Sequence, residues 1–311
     1  MTDHPMQPFL DLTPEIAAAL GKGVPVVALE STLVTHGLPF PRNLDTARAL
    51  EAEVRAGGAV PATIAVLGGR FAVGLADEAL ERLARAGRAA AKASFRDLAP
   101  LVAAGADAGT TVAATMAIAE AAGIAVFATG GIGGVHRGAE TTFDVSADLG
   151  ELARSRVGVV CAGAKSILDL PKTLEVLETQ GVPVVGYGTR EFPAFHSRTS
   201  GLRLDHCVPD AAAAARALRA ALVFGRGGIL FVNPLPEAHE IPAAEIEPRL
   251  AEATARARAE GVAGKDVTPW LLAKLEELTA GRSVAANMAL LRDNARVGAE
   301  IAVALARLRA S

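Results

Sequence analysis

Short apolar runs separated by helical patterns dominate the first three quarters of the chain. Polar and apolar residues do not alternate within these runs, which is typical of strands covered on both faces. The runs include VPVVAL at 24–29, IAVFAT at 124–129, VGVVC at 157–161, VPVVGY at 182–187 and GILFV at 228–232. We therefore predict an α/β fold with three layers, α/β/α, and a mostly parallel central sheet.

Helical periodicity fills the spaces between these strands and the C-terminal third of the chain. The predicted helices include 43–56, 110–123, 243–261, 267–281 and 283–310. Segment 164–170 is also predicted to form a helical turn, whereas 63–75 is predicted to be a hairpin that turns at Gly68 and Gly69. Because no repeat or linker interrupts the pattern, we expect a single domain over residues 1–311.

The composition narrows the class of protein. Of 311 residues, 51% are hydrophobic, and a mean hydropathy of +0.32 argues against disorder. A net charge of −3 and only 4% aromatic residues argue against a nucleic-acid surface. No signal peptide is recognisable, and no uncharged apolar run reaches the roughly 18–20 residues that span a bilayer. With only Cys161 and Cys207 as cysteines, we expect a cytoplasmic protein with no membrane partner.

Residues that follow the apolar runs are the first candidates for chemistry, since ligands of such sheets bind beyond the carboxyl ends of the strands. Glu30 comes directly after the run at 24–29. Partial burial at this place would raise its pKa and suit it to general acid or base catalysis. A glutamate that caps a turn or pairs with an arginine is the alternative, and the sequence leaves both open.

A glycine-rich segment follows the second run. Its four glycines allow backbone N–H groups to approach an anion, and His136 and Arg137 add charge that suits a phosphate. A dinucleotide fingerprint would need glycine at His136. Asp144 and Asp148, with Ser146 between them, offer oxygen ligands that suit Mg²⁺ or Mn²⁺. The alternative is a glycine-rich turn followed by a solvated acidic segment.

Lys165 follows the third run and a stretch of small residues. Poor hydration there would lower the pKa of the lysine and free its amine to attack a carbonyl carbon. A lysine at the start of a helix that reaches water by its long stem is the alternative. Cys161 is a rival nucleophile in the same turn, although a lone cysteine at a strand end is usually part of the core.

Several weaker candidates equally fit a solvated face or an ordered loop. They are Lys92 and Arg96 as ligands of a phosphate or sugar oxygen, Asn233, Glu237, His239 and Glu240 in a loop bracketed by prolines, and Asn287 inside a predicted helix. A carboxylate, an amine nucleophile, a glycine loop and hard-metal ligands together point to lyase or hydrolase chemistry on a phosphorylated sugar.

Six motifs resemble, in order, the pseudouridine-5′-phosphate glycosidase family, which is also named after indigoidine synthase A. The motifs are ALESTLVTHGLPFPRN, ATGGIGGVHRGAETTFDVSADL, CAGAKSILDLPKTLE, VGYGTREFPAF, NPLPEAHEIP and GKDVTPWLLAKLEELTAGRSVAANMALLRDNA. The segment around Lys92 departs from the family pattern at Phe95, at or near which a basic residue is expected. Apart from such local differences, the resemblance covers nearly the whole chain.

The resemblance implies reversible cleavage of the C–C glycosidic bond of pseudouridine 5′-phosphate to uracil and ribose 5-phosphate, with Mn²⁺ and a homotrimer. It implies that Glu30 is the proton donor, Lys165 the covalent nucleophile and Asp144 the metal ligand. The substrate contacts that we expect with it are Lys92, Val112, Ser146, Ala147, Asp148, His136 and Asn287. The alternatives are a metal-dependent aldolase or lyase that acts on another phosphosugar, and a non-catalytic nucleotide-binding protein.

Overall fold

The strands of the computed structural model, which describes residues 4–262 and 267–310, join mainly into one large sheet. The first three residues of the sixth motif, 264–266, lie outside the described residues. The strands are β1 Leu10–Leu12, β2 Val26–Leu29, β3 Val60–Leu67, β4 Arg70–Val73, β5 Ala91–Ala93, β6 Ala108–Thr110, β7 Val126–Ala128, β8 Val135–His136, β9 Gly158–Cys161, β10 Leu168–Asp169, β11 Val184–Tyr187, β12 His206–Val208 and β13 Ile229–Val232.

The order of strands in the sheet is β1-β4-β3-β2-β7-β9-β13-β11-β12. From β3 to β12 every neighbouring pair is parallel, which confirms the predicted mostly parallel sheet. β3 and β4 pair antiparallel across Gly68 and Gly69, whose φ values of 55° and 75° favour glycine, so the predicted hairpin is also confirmed. β6 pairs with β3 and β5, and β8 and β10 form a separate pair.

Helices cover the sheet and form the outer layers. They are α1 Pro14–Gly21, α2 Arg42–Ala56, α3 Asp77–Ala86, α4 Leu98–Ala104, α5 Val112–Ala121, α6 Ala139–Thr142, α7 Ala147–Leu152, α8 Leu170–Thr179, α9 Ala211–Phe224, α10 Ala243–Ala259, α11 Val267–Leu278 and α12 Arg282–Ala310. α12 contacts α2, α9 and the strands β2, β7 and β9, whereas α5 packs on β2, β3 and α7. None of the described helices is both long and apolar enough to cross a membrane.

The core explains why these helices lie close to the sheet. A cluster of buried apolar side chains extends from Ile16 to Leu305. Gly298 of α12 lies against β7, where an added Cβ would come within 3.1 Å of the Ala128 methyl group. The small residues of α5 are buried, and they allow the helix to approach the strands closely.

One local prediction is wrong. Segment 164–170 does not form a helical turn, because Leu168 and Asp169 pair with His136 and Val135 as the short strand β10. The following helix, α8, begins only at Leu170, since the carboxylate of Asp169 caps it by accepting the N–H of Lys172 at 3.1 Å. The turn that holds Lys165 is therefore fixed by strand pairing.

Candidate active site

Polar side chains follow three neighbouring strands in the middle of the sheet, where each strand ends. Glu30 follows β2, Thr129 follows β7, and Lys165 comes four residues after the end of β9. β7 pairs with both β2 and β9, and all three strands are parallel, so their carboxyl ends lie side by side. The residues that follow these three strands therefore lie at the end of the sheet where parallel sheets bind ligands.

Glu30 is the electrostatic centre of this group. Thr129 Oγ1 donates a hydrogen bond of 2.5 Å to Glu30 Oε1. Burial raises the pKa of Glu30; Lys165, the Thr129 hydrogen bond and Lys92 act in the opposite direction, and Asp148 raises it further. Glu30 therefore lies within electrostatic range of Lys165, Lys92 and Asp148, and its partners do not fit a glutamate that caps a turn or pairs with arginine.

Backbone hydrogen bonds attach the glycine loop to the turn that carries Lys165. The Ala162 N–H donates to the Gly130 carbonyl at 2.9 Å, and the Ile132 N–H donates to the Gly163 carbonyl at 3.1 Å. The N–H of Lys165 donates to the Ile132 carbonyl, also at 3.1 Å. The position of the lysine backbone is thus determined by the glycine loop.

Asp148 joins the other end of the glycine loop to α5. It is only 6% exposed, and its two carboxylate oxygens accept the N–H of Ala113 at 2.9 Å and the N–H of Gly133 at 2.7 Å. Ser146 caps α7 by accepting the N–H of Asp148 at 3.2 Å. Val112 is the first residue of α5, so these contacts bring three predicted substrate contacts together. Ala147 begins α7 and is exposed.

Asp144 differs from Asp148 in that its side chain is exposed to solvent. The Asp144 side chain is 50% exposed, and its Oδ2 lies 3.9 Å from Nδ1 of His136. The His136 N–H donates to the Asp144 carbonyl at 3.0 Å. Among the described residues there is no group of three or more histidine, cysteine or acidic side chains that could hold a metal. One carboxylate with an imidazole nearby suits a hydrated Mn²⁺ or Mg²⁺, not a structural zinc site.

Two other candidates, Arg137 and Arg96, lie next to acidic side chains, and a third, Cys161, belongs to the core. Arg137 pairs with Glu247 of α10 at 3.1 Å, and the strongly exposed Arg96 lies 3.9 Å from Asp97. Burial raises the pKa of the Cys161 thiol to about 12, so the thiol stays protonated near neutral pH, as expected for a cysteine of the core. Lys92 lies on β5 opposite Gly109.

The proline-bracketed loop is an ordered structural segment. Glu240 Oε1 accepts the N–H of Arg198 at 2.9 Å, and the Arg198 guanidinium donates to the Leu235 carbonyl at 2.6 Å. Glu237 and His239 lie in an exposed turn of 3-10 helix. This agrees with the interpretation of an ordinary ordered loop.

Asn233, at the start of that loop, is buried and leads to a residue that the sequence analysis missed. Its Nδ2 donates to Asp293 Oδ2 at 2.7 Å and to Asn294 Oδ1 at 3.0 Å. Asn294 is fully buried in α12 and donates to the carbonyls of Thr129 at 2.8 Å and Gly130 at 3.4 Å. The sequence does contain a signal for Asn294, since an asparagine inside a helix is unusual, but we applied that signal only to Asn287.

Asn287 lies partly buried on α12, seven residues before Asn294. Because seven residues make about two helical turns, both asparagines lie on the same side of the helix. A substrate contact for Asn287 stays a prediction.

Ser166 and His196 were also missed. Ser166 follows Lys165 directly, and its Oγ lies 3.1 Å from His196 Nδ1. Burial lowers the pKa of His196 to about 4, partly offset by a hydrogen bond with the backbone of Ser283. A neutral imidazole therefore packs beneath the turn that carries Lys165.

Known proteins resemble this chain over nearly its whole length. The model of the family described as indigoidine synthase A-like proteins matches residues 15–304. A pseudouridine-5′-phosphate glycosidase of Sorangium cellulosum is 58% identical, with 97% of this chain and 95% of the relative covered. One from Caldanaerobacter subterraneus is 55% identical, with 97% and 99% covered.

Two solved structures have the same fold. A prealnumycin C-glycosynthase in complex with ribulose 5-phosphate superposes with a TM-score of 0.90 at 42% identity, with 97% of this chain and 98% of that chain covered. An indigoidine synthase A-like protein of Thermotoga maritima gives a TM-score of 0.88 at 38% identity, with 99% and 100% covered.

Proposed function

The chain belongs to the indigoidine synthase A-like family, and on that basis we propose that it reversibly cleaves the C–C glycosidic bond of pseudouridine 5′-phosphate to give uracil and ribose 5-phosphate. The relatives that are 55% and 58% identical are named for that activity. The proposal rests on one observation in the structure: the Glu30 carboxyl group is hydrogen-bonded to Thr129 and lies within electrostatic range of Lys165. It places an acid–base group and an amine in one cluster.

The chemistry requires such a pair because the leaving atom is carbon. Most glycosidases flank the scissile bond with two carboxylates and expel a heteroatom. In pseudouridine 5′-phosphate the sugar is bonded to C5 of uracil, and that carbon must take up a proton before it can leave. Covalent catalysis by an amine divides the reaction into two easier steps.

In the first step the neutral amine of Lys165 attacks C1′ of the ribose. The new N–C1′ bond forms as the C1′–O4′ bond breaks, and O4′ takes a proton from the protonated carboxyl of Glu30. Because burial raises the pKa of Glu30, its carboxylate is a good acceptor for the proton that Lys165 must first lose. The ring is then open, with both uracil and lysine bonded to C1′.

In the second step the Glu30 carboxylate takes a proton from the new ammonium nitrogen of Lys165, and the lone pair that this frees forms a C=N bond to C1′. The C1′–C5 bond breaks, and C5 of uracil keeps the electron pair and receives that proton from Glu30, which is again a carboxylate. Water hydrolyses the imine, which releases ribose 5-phosphate and restores the amine of Lys165. Reversal of the same steps makes pseudouridine 5′-phosphate.

Substrate contacts are proposed at the positions that the glycine loop and α5 bring together. They are Lys92, Val112, Ser146, Ala147, Asp148, His136 and Asn287. Asp144, with His136 beside it, would hold Mn²⁺, because one carboxylate with water molecules suits a hydrated hard cation. When bound, the ion supplies positive charge that neutralises and orders a substrate phosphate.

We also propose that the protein is a cytoplasmic homotrimer. Phe143 is 86% exposed, and Val223 and Phe224 are each 77% exposed, so apolar surface is available for contacts between copies. Light scattering on the purified protein should give three times the mass of the 31.7 kDa chain. A monomer at micromolar concentration would contradict the trimer and leave the proposed reaction untouched.

The reaction is tested by incubating wild type and Lys165→Ala with ribose 5-phosphate, uracil and Mn²⁺. Uracil absorbance and product mass report formation of pseudouridine 5′-phosphate. We expect product from the wild type alone. Equal activity of Lys165→Ala would keep the reaction and exclude the covalent step.

A second candidate function is suggested by the solved C-glycosynthase, whose structure contains ribulose 5-phosphate. A synthase for another aromatic acceptor would share the sugar-phosphate half of the site. Replacement of uracil by other aromatic acceptors in the same assay separates the two, since our proposal requires uracil. A lyase for another phosphosugar would turn over without uracil, and a nucleotide-binding protein would bind and not react.

A further inference from the structure

We propose that Asn294 is a positioning residue for Glu30, which it holds in place through Thr129. This inference rests on the proposed function. Asn294 lies on α12, whereas Glu30 follows β2 and Thr129 follows β7, so the connection joins three elements at the edge of the sheet. Asn294 and Thr129 are 165 residues apart in the sequence.

The hydrogen bonds of Asn294 allow only one orientation of its amide. Its Nδ2 donates to the carbonyls of Thr129 and Gly130, and its Oδ1 accepts from Asn233 Nδ2 at 3.0 Å. Asn233 is fixed in turn by Asp293 Oδ2 at 2.7 Å. Because all the polar atoms of the Asn294 side chain have partners and the residue is fully buried, the network has little freedom to relax.

The network ends at the catalytic carboxyl group. Thr129 is 2% exposed, and its carbonyl is held by Asn294 while its hydroxyl donates to Glu30 Oε1. A shift of the Thr129 backbone would therefore lengthen the bond to Glu30. Displacements of about 1 Å in a catalytic group can lower the rate about 100-fold.

The electrostatic surroundings of Glu30 make this displacement measurable. The charged groups that act on it are Lys165, Lys92 and Asp148, and none of them belongs to α12. The hydrogen bond from Thr129 favours the ionised carboxylate, so its loss should raise the pKa of Glu30. The titration of Glu30 thus reports the Thr129 contact separately from turnover.

The test is a double-mutant cycle with Asn294→Leu and Thr129→Val. We expect Asn294→Leu to lower kcat about 100-fold with little change in KM, and to move the titration of Glu30 to higher pH. In the Thr129→Val background the same substitution should add nothing, because the contact is already lost. Additive losses of kcat, or an unchanged Glu30 titration in a folded Asn294→Leu protein, would overturn the proposal.

The titration is followed by carbon-13 NMR of glutamate carboxyl groups in the full chain without substrate, with Glu30→Gln to assign the signal. The titration can therefore be measured even if the wild type makes no product. Absence of product would contradict the proposed function and would not bear on the role of Asn294. If Asn294→Leu fails to fold, Asn233→Ala, which removes the donor to Asn294, decides by the same two readouts.

Asn43→Leu is the matched control. Asn43 is also a buried asparagine whose Nδ2 donates to two carbonyls, those of Val34 at 2.6 Å and Ala84 at 2.8 Å. Its loss should destabilise the protein and leave the Glu30 titration where it is. If the pKa of Glu30 shifts by the same amount in Asn43→Leu, the effect of Asn294→Leu comes from general loosening of the fold, and the proposal is wrong.

Discussion

The buried imidazole beneath Lys165 should make the protein sensitive to acid. Burial lowers the pKa of His196 from 6.5 to about 4. Between these two values the unfolded chain binds a proton that the folded protein does not, so the free energy of unfolding must fall as the pH falls. Above pH 6.5 and below about pH 4 His196 contributes no slope, because both states then carry the same charge on the ring.

The size of the effect follows from the two pKa values. Each pH unit between them costs about 1.4 kcal/mol, so from pH 6.5 to about pH 4 the loss is roughly 3 kcal/mol. That is a large part of the total stability of a typical domain, which is about 5–15 kcal/mol. Ser166 lies 3.1 Å from the ring, so protonation of His196 would also disturb the residue next to Lys165.

Urea unfolding of wild type and His196→Gln at a series of pH values measures this contribution. Other groups titrate in both proteins, so the difference between the two free energies of unfolding isolates His196. The advantage of the wild type over His196→Gln should shrink by roughly 3 kcal/mol from pH 7 to pH 4. A difference that stays constant with pH would refute a buried neutral histidine.

Three further predictions follow from contacts in the site. Glu30→Gln should lower kcat by about 10²–10⁴-fold. It should nevertheless raise the melting temperature at pH 8, because burial raises the pKa of Glu30 and its ionised form therefore costs stability. This gain should vanish below pH 4.5, and a melting temperature lower than that of the wild type at pH 8 would contradict the prediction. Gly133→Ala should raise KM, since its Cβ would overlap Ser146 Oγ. Gly21→Ala is the control: its Cβ meets nothing within 4 Å, and its KM should equal that of the wild type. Asp144→Asn should weaken Mn²⁺ binding in electron paramagnetic resonance titrations of the protein without substrate, and unchanged binding would place the ion elsewhere.

The strand-end residues could be predicted from the sequence because they depend on a general property of parallel sheets. Glu30 and Lys165 each follow an apolar run, and the carboxyl ends of neighbouring strands meet. The separation of Asp144 from Asp148 could not be predicted. It depends on where α7 begins and on the N–H groups of Ala113 and Gly133, which occupy the buried carboxylate.

Contacts between segments that are distant in the chain could not be predicted from the hydrophobic pattern. Lys92 reaches the site because β5 pairs with β6 and β6 with β3, and each of β5 and β6 has only three residues. Strands of that length carry too little periodicity to be recognised. Asn294 and Thr129 likewise meet only through the packing of α12 on β7, so neither residue alone signals its role.

A borohydride trapping experiment with ribose 5-phosphate tests the covalent role of Lys165. Reduction of the imine would fix the sugar phosphate on the attacking nitrogen, and peptide mass mapping would locate it. We predict one added sugar phosphate on the peptide that contains Lys165, and none in Lys165→Ala. An adduct on Lys92 instead, or turnover of pseudouridine 5′-phosphate with no trapped adduct, would contradict the mechanism.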